Sequence, residues 1–260
     1  MCTVSWYFDE AGYELFFNRD ELRTRGSGVP PAIAVQAGVR YLAPSDSDRG
    51  GTWIGLNEFG LTHCLLNYYQ RTVTAADFDP DQTWRSRGEL VRIVQASRNL
   101  RESAAILQAL DLESYPAFWV LAAMPGKGVS GFRWDGTDLK IMHTVTAPAS
   151  TSGYRPEATT KHRTTRFRKL VGNPPDRTTA VERLWRFHRD RNRLHPSFGV
   201  CMTRSDARTV SLTRVSCRRT ADTDAPLYAM SYLAEPPCGA KTLPEERYLD
   251  PTVSDLTLTR

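Results

Sequence analysis

Long apolar runs are missing from this chain: the longest is eight residues, 117–124 (AFWVLAAM). A helix that crosses a bilayer needs roughly 20, so no transmembrane helix is expected. The first twelve residues, MCTVSWYFDEAG, have neither a basic start nor an extended apolar core. They do not read as a secretory signal, and the expectation is a cytoplasmic protein. Cysteine is scarce: five residues (Cys2, Cys64, Cys201, Cys217, Cys238), an odd count at wide, irregular spacing and without CxxC. That fits neither a disulfide framework nor a zinc knuckle. Four of them read as small buried hydrophobes in a reducing compartment; Cys2 stands apart because of its position. There is no GxGxxG after a strand, no P-loop, no HExxH and no GxSxG, which argues against nucleotide-dependent and zincin chemistry. No internal repeat or long linker divides the sequence, so residues 1–260 read as one domain.

What the chain does contain is an ordinary globular composition, 40% hydrophobic and 24% charged, with charge placed unevenly. Residues 155–193 hold twelve Lys/Arg against four Asp/Glu, a local +8 in a chain whose total is +5. Such a block suits a phosphate-bearing or carboxylate ligand, an acidic partner or simply a solvated helix face. Nucleic acid ranks last as a partner, because charge alone supports it and no recognition motif accompanies it. Within 176–194, Val181, Leu184, Trp185 and His188 recur at i, i+3, i+4 and i+7, which predicts an amphipathic helix. Arg186, Arg189 and Arg193 fall on its outer face.

Residues 2–8 and 13–18 are rich in aromatic and β-branched types and flank Asp9-Glu10-Ala11-Gly12, the pattern of a β-hairpin. Residues 52–56 and 61–68 predict a second hairpin. Apolar residues at 90, 93, 94, 100, 104 and 107, with Ser97 between them, predict one long helix over 86–112. Strands are expected over 118–123, 131–134 and 139–145, a helical stretch over 164–170, and short strands at GVCMTR, TVSLTRVSC and LYAMSYL. Residues 26–31, 44–51 and 147–156 read as loops. Strands and helices group in blocks rather than alternating, which indicates an α+β fold.

Cys2 opens the first predicted strand directly after Met1. Removal of Met1 would give this one residue a thiol and an α-amine of pKa about 8, a nucleophile with its own base. The start MCTVSWYFDEAGYELFFNRDELRTR, with GGTWIGLNEFG, HCLLNYY and the later CMTRSD and VSLTRV segments, resembles the NRDE family. This is also called the transport and Golgi organisation protein 2 family. It is similar in turn to choloylglycine hydrolases and penicillin V acylases. The resemblance implies an N-terminal-nucleophile (Ntn) fold, an αββα sandwich of two antiparallel sheets between helical layers. It also implies a set of site residues. Cys2 matches the nucleophile, and Asn67 matches the asparagine whose amide helps form an oxyanion hole. Arg19 and Asp20 match the arginine and aspartate beside the nucleophile: Asp20 to hold the α-ammonium, Arg19 to lower the thiol pKa. Being adjacent, they point to opposite faces of a strand, so both reach Cys2 only where a strand ends or bulges; a structural ion-pair network is the alternative. Ser152 stands where the hydrolases carry a second asparagine, and Arg166 resembles a late active-site arginine.

The resemblance implies an amidase or acyl-transfer hydrolase acting on a small molecule, anionic if the basic block takes part, with no cofactor required. The alternative it implies is a non-catalytic carrier of haem or acyl-CoA-like ligands. There His63, His143 or Cys2 would serve as axial ligand, and the 155–193 block would meet propionates or CoA phosphates.

Overall fold

A computed structural model describes residues 2–70, 83–219 and 226–250. Met1, whose removal the nucleophile expectation invokes, lies outside them. Strands β1 (Cys2–Asp9) and β2 (Gly12–Leu22) form the expected hairpin. At its turn the Asp9 carboxylate accepts from the backbone N–H groups of Ala11 and Gly12. Gly12 is obligatory there: its φ is +145°, and a Cβ would lie 2.1 Å from the Cys217 carbonyl oxygen.

Next come β3 (Gly28–Gln36), β4 (Val39–Asp46), β5 (Ile54–Asn57) and β6 (Thr62–Asn67). Helices α1 (Gly88–Val94) and α2 (Leu100–Gln108) precede β7 (Phe118–Met124), β8 (Gly128–Trp134), β9 (Leu139–Met142) and β10 (Ala149–Thr151). Then follow α3 (Pro156–Leu170), α4 (Arg177–His188), β11 (Ala207–Arg219), β12 (Pro226–Leu233) and β13 (Glu246–Leu249). Every paired strand runs antiparallel. One sheet has the order β10-β1-β2-β11-β12-β13 and the other runs β3 to β9 in sequence order.

Alternation along β2 builds the layers. Leu15 and Phe17 enter the core between the two sheets, with Val4, Ile54, Leu56 and Leu66. Phe16, one residue out of phase, packs with Leu184 and Phe187 of α4. On the other side Leu90, Val91 and Leu107 of α1 and α2 cover Val120 and Phe132. Each such side chain contributes about 1.5–3 kcal/mol by burial. The architecture is the expected αββα sandwich.

Several local expectations are corrected. The helix predicted over 86–112 is two helices, because Asn99 caps α2: its side chain accepts from Glu102 N, and the Glu102 carboxylate accepts from Arg98 N. The expected loop 147–156 contains β10, which pairs with β1, and the loops 26–31 and 44–51 lie partly in β3 and β4. Pro30 and Pro31 are tolerated because β3 is an edge strand with an irregularity between Val29 and Ala32. GVCMTR is irregular backbone rather than a strand. In α4, which ends at His188 and not near 194, the buried residues are Ala180, Leu184, Phe187 and His188, so the stripe is rotated from the expected one. Cys201 and Cys238 form a disulfide, contrary to the reading of four unpaired cysteines.

Candidate active site

Cys2 is the first residue of β1, opposite Arg19 in β2 and Thr151 in β10. It opens onto a cleft of about 960 Å³ whose walls include Arg19, Asp20, Asn67, Tyr69 and Arg87. Trp53 and Trp84 add aromatic surface, and Arg25, Arg49 and Arg204 add positive charge.

The strand period separates Arg19 from Asp20. The irregularity that the sequence calls for lies in β11, between Thr209 and Ser211, facing Asp20 and Arg19; β2 itself stays regular. Arg19 therefore points to the cleft side. Its guanidinium stacks 4.3 Å from the centre of the Trp53 ring, donates to Asp46 at 2.7 Å and reaches Glu21 at 3.5 Å. Among the described residues its Nη1 has no acceptor, although the side chain is buried. Asp46, also held by Arg25 at 3.0 Å, is pulled below its ordinary pKa: burial works against this, and the two arginines outweigh it.

Asp20 points the other way, toward the helices. Its Oδ1 accepts from Thr209 at 2.6 Å and its Oδ2 pairs with Arg163 at 3.3 Å. Burial pushes the carboxyl up despite Arg163. Arg163, 1% exposed, also donates to Thr3 and Ser150. One turn later, Arg166 pairs with Asp190 instead and lies outside the cleft wall. Neither arginine lines the cleft, but Arg163 rather than Arg166 is tied to it, through Asp20 and Thr3, because α3 begins at Pro156 and turns residue 163 inward. Ser152 closes the turn before α3, donating to the Tyr154 carbonyl and accepting from its N–H; Gly153 is the neighbour that lines the cleft.

Cys2 itself is 7% exposed. Burial pushes its thiol pKa up, and the neighbouring Asp20 charge adds to this, while the Asp20 backbone N–H opposes it. The expected lowering by Arg19 is not found; its guanidinium is turned to Asp46, Glu21 and the Trp53 ring. Cys2 rests as a thiol. Asn67, at the end of β6, donates from Nδ2 to the Tyr69 hydroxyl at 3.0 Å. Burial alone would raise the Tyr69 pKa, yet the ammonium at the chain start first, then the Arg87 guanidinium and the Asn67 hydrogen bond, bring it below its ordinary value. Tyr69, Arg87 and Trp53 were not singled out from the sequence. Tyr69 had a signal, because it lies two residues beyond Asn67 and an extended chain returns to the same side every second residue.

Asn18 does not face the cleft. It donates to the carbonyls of His188 (2.9 Å) and Val200 (3.0 Å) and contacts His188 Nδ1 at 3.0 Å. The Asn-Arg-Asp-Glu run is therefore a two-faced strand: Asn18 and the Asp20 carboxylate fasten the helical layer, the Arg19 and Glu21 side chains face the cleft, and Asp20 also borders the cleft beside Cys2.

The Transport and Golgi organisation 2 family model matches residues 1–218. The chain belongs to this family. No curated protein matches the sequence. Among solved structures, penicillin V acylase from Agrobacterium tumefaciens superposes with a TM-score of 0.57 at 12% identity, covering 96% of this chain and 86% of that one. A Caenorhabditis elegans orthologue of N-acylethanolamine-hydrolyzing acid amidase gives 0.55 at 10%, over 82% and 92%. The C2A mutant of conjugated bile acid hydrolase from Clostridium perfringens gives 0.54 at 10%, over 96% and 97%. These likenesses establish the Ntn-hydrolase fold of this family member.

Proposed function

We propose that this protein is a cysteine-dependent hydrolase of amide or thioester bonds in a small, anionic acyl compound. The observation that carries the reading is the position of Cys2, at the head of β1, in a cleft shared with Asn67, Arg19 and Asp20. After removal of Met1, Cys2 attacks the carbonyl carbon and its α-amine takes the thiol proton. Asn67 stabilises the oxyanion, a role that typically lowers a barrier by ~3–4 kcal/mol. Asp20 holds the α-ammonium through its position beside Cys2. Arg19 offers its unpartnered Nη1 to an anionic group of the substrate. Water then hydrolyses the acyl-enzyme. Ser152 and Arg166 receive no role, because neither lines the cleft.

The basic block of 155–193 does not supply the cleft's positive charge; Arg19, Arg25, Arg49, Arg85, Arg87 and Arg204 do, beside the carboxylates of Asp20, Glu21, Asp46 and Asp206. The carrier reading draws on the same cleft, but an imidazole-ligated haem does not fit it. His63 is fully buried among Ser97 and Ser103 beneath α1 and α2, and His143 is exposed elsewhere. Of the three axial candidates, Cys2 alone faces the cleft.

The test compares wild type, Cys2→Ser and Asn67→Ala on a panel of N-acyl amides and acyl thioesters. Hydrolysis lost in Cys2→Ser and reduced roughly 10²–10³-fold in Asn67→Ala is expected. Full activity in Cys2→Ser would end the hydrolase reading.

A further inference from the structure

Cys2 poses a problem for the chemistry just proposed. Its thiol is buried and held protonated at rest, and a departing amine must be protonated before the C–N bond breaks. The cleft contains one further group suited to carrying that proton. Tyr69 shares the wall with Cys2 and Asn67. Its hydroxyl oxygen accepts from Asn67 Nδ2 at 3.0 Å, and no described residue accepts its proton. The Arg87 guanidinium lies beside it, itself anchored to the Ala117 carbonyl at 2.9 Å. Tyr69 and Cys2 are near enough for their charges to influence each other.

We propose that Tyr69 is a catalytic residue that hands its phenolic proton to the leaving group during acylation of Cys2. The step rests on the hydrolase reading. Cys2 Sγ forms a bond to the carbonyl carbon, and the C–N bond breaks as Tyr69 Oη–H protonates the nitrogen. The proton that the α-amine took from the thiol then passes to the Tyr69 oxygen and replaces the one Tyr69 gave up. The products are an S-acyl Cys2 and a free amine, with Tyr69 again neutral. Asn67 and Arg87 stabilise the transient phenolate, one by its N–H and the other by its charge.

Leaving-group dependence tests the assignment. p-Nitrophenolate departs without protonation, whereas an alkylamine does not. Wild type and Tyr69→Phe are compared on p-nitrophenyl esters and benzylamides of the same series of short and long acyl chains. Tyr69→Phe is expected to lose about 10²–10³-fold in kcat/KM on the amides and to keep ester turnover within about threefold. Ester turnover also reports that the variant is folded. Equal losses on both classes, or no loss on either, overturn the role of Tyr69 while the hydrolase reading stands. If wild type cleaves neither class and Cys2 gains no acyl mass, both fall together. Should the phenylalanine variant fold poorly, 3-fluorotyrosine at position 69 gives a second test. Its more acidic phenol should move the alkaline limb of the amide pH profile to lower pH and leave the ester profile in place. An unmoved amide limb contradicts the proposal.

Discussion

Three cysteines are free among the described residues, Cys2, Cys64 and Cys217, and each is buried. Burial pushes all three thiols up, Cys217 to about 12 and Cys64 further. Cys2 differs by lining a cleft. Limiting iodoacetamide is therefore expected to label Cys2 before Cys64 or Cys217, at a rate that keeps rising as pH passes 9, the ordinary thiol value. A rate that levels off below that pH would mean a lowered thiol pKa. Asp20 and Arg163 form the other residue-scale pair. Arg163→Met leaves a buried carboxylate uncompensated and is expected to cost about 3–5 kcal/mol in urea unfolding. Adding Asp20→Asn should restore much of it; a double variant no more stable than the single would contradict the pairing. The family motif made Cys2, Arg19, Asp20 and Asn67 legible in the sequence as neighbours. The choice of Arg163 over Arg166 was not legible, because it depends on the start and rotation of α3, and one turn of helix separates two arginines of the same local composition.

At the scale of elements, α4 is fastened to β2 and β1 through His188. Its ring meets Asn18 at one nitrogen and Ser5 at the other, at 3.0 and 2.8 Å. Burial holds this imidazole neutral, its pKa brought down to about 3, and His63 is brought to about 3 in the same way. The unfolded chain binds these protons near the ordinary value of 6.5, so stability is fully present above that pH. It is lost progressively as pH falls from about 6.5 toward about 3. Urea midpoints measured across that range should fall with pH, and His188→Gln should flatten the dependence. Asn18→Ala removes the hydrogen bonds to His188 and the Val200 carbonyl and should cost about 2–4 kcal/mol. The strands around Cys2 and Asn67 were readable from their short apolar, aromatic and β-branched runs and the glycines at their turns. The break between α1 and α2 was masked by apolar residues at helical spacing on either side of it, although Ser97 interrupts that spacing and Asn99 and Glu102 already spelled the cap. The C-terminal elements were less readable: GVCMTR is as apolar as a strand yet lies as irregular backbone held by the Cys201–Cys238 bridge.

For the molecule as a whole, that disulfide closes a 37-residue separation. Loop-closure entropy for that length corresponds to roughly 4 kcal/mol, so reduction should lower the urea midpoint in wild type and leave a Cys201→Ala variant unchanged. An equal midpoint with and without reductant in wild type would remove the bridge from the stability of the fold. Charge also sorts by location. Arg49 lines the cleft, while Arg186 projects from the outer face of α4. Affinity for an anionic acyl ligand should fall in Arg49→Glu and remain in Arg186→Glu; the reverse would return the ligand to the basic block. The nucleophile itself is tested most directly by exposing Met1-trimmed protein to a p-nitrophenyl acyl ester and mapping the acyl group by mass. The expected result is a single acyl group on Cys2 that water then releases, with a stable ester trapped in Cys2→Ser. Acyl groups spread over lysines and other cysteines, with Cys2 unmodified, would contradict a nucleophile at the head of β1.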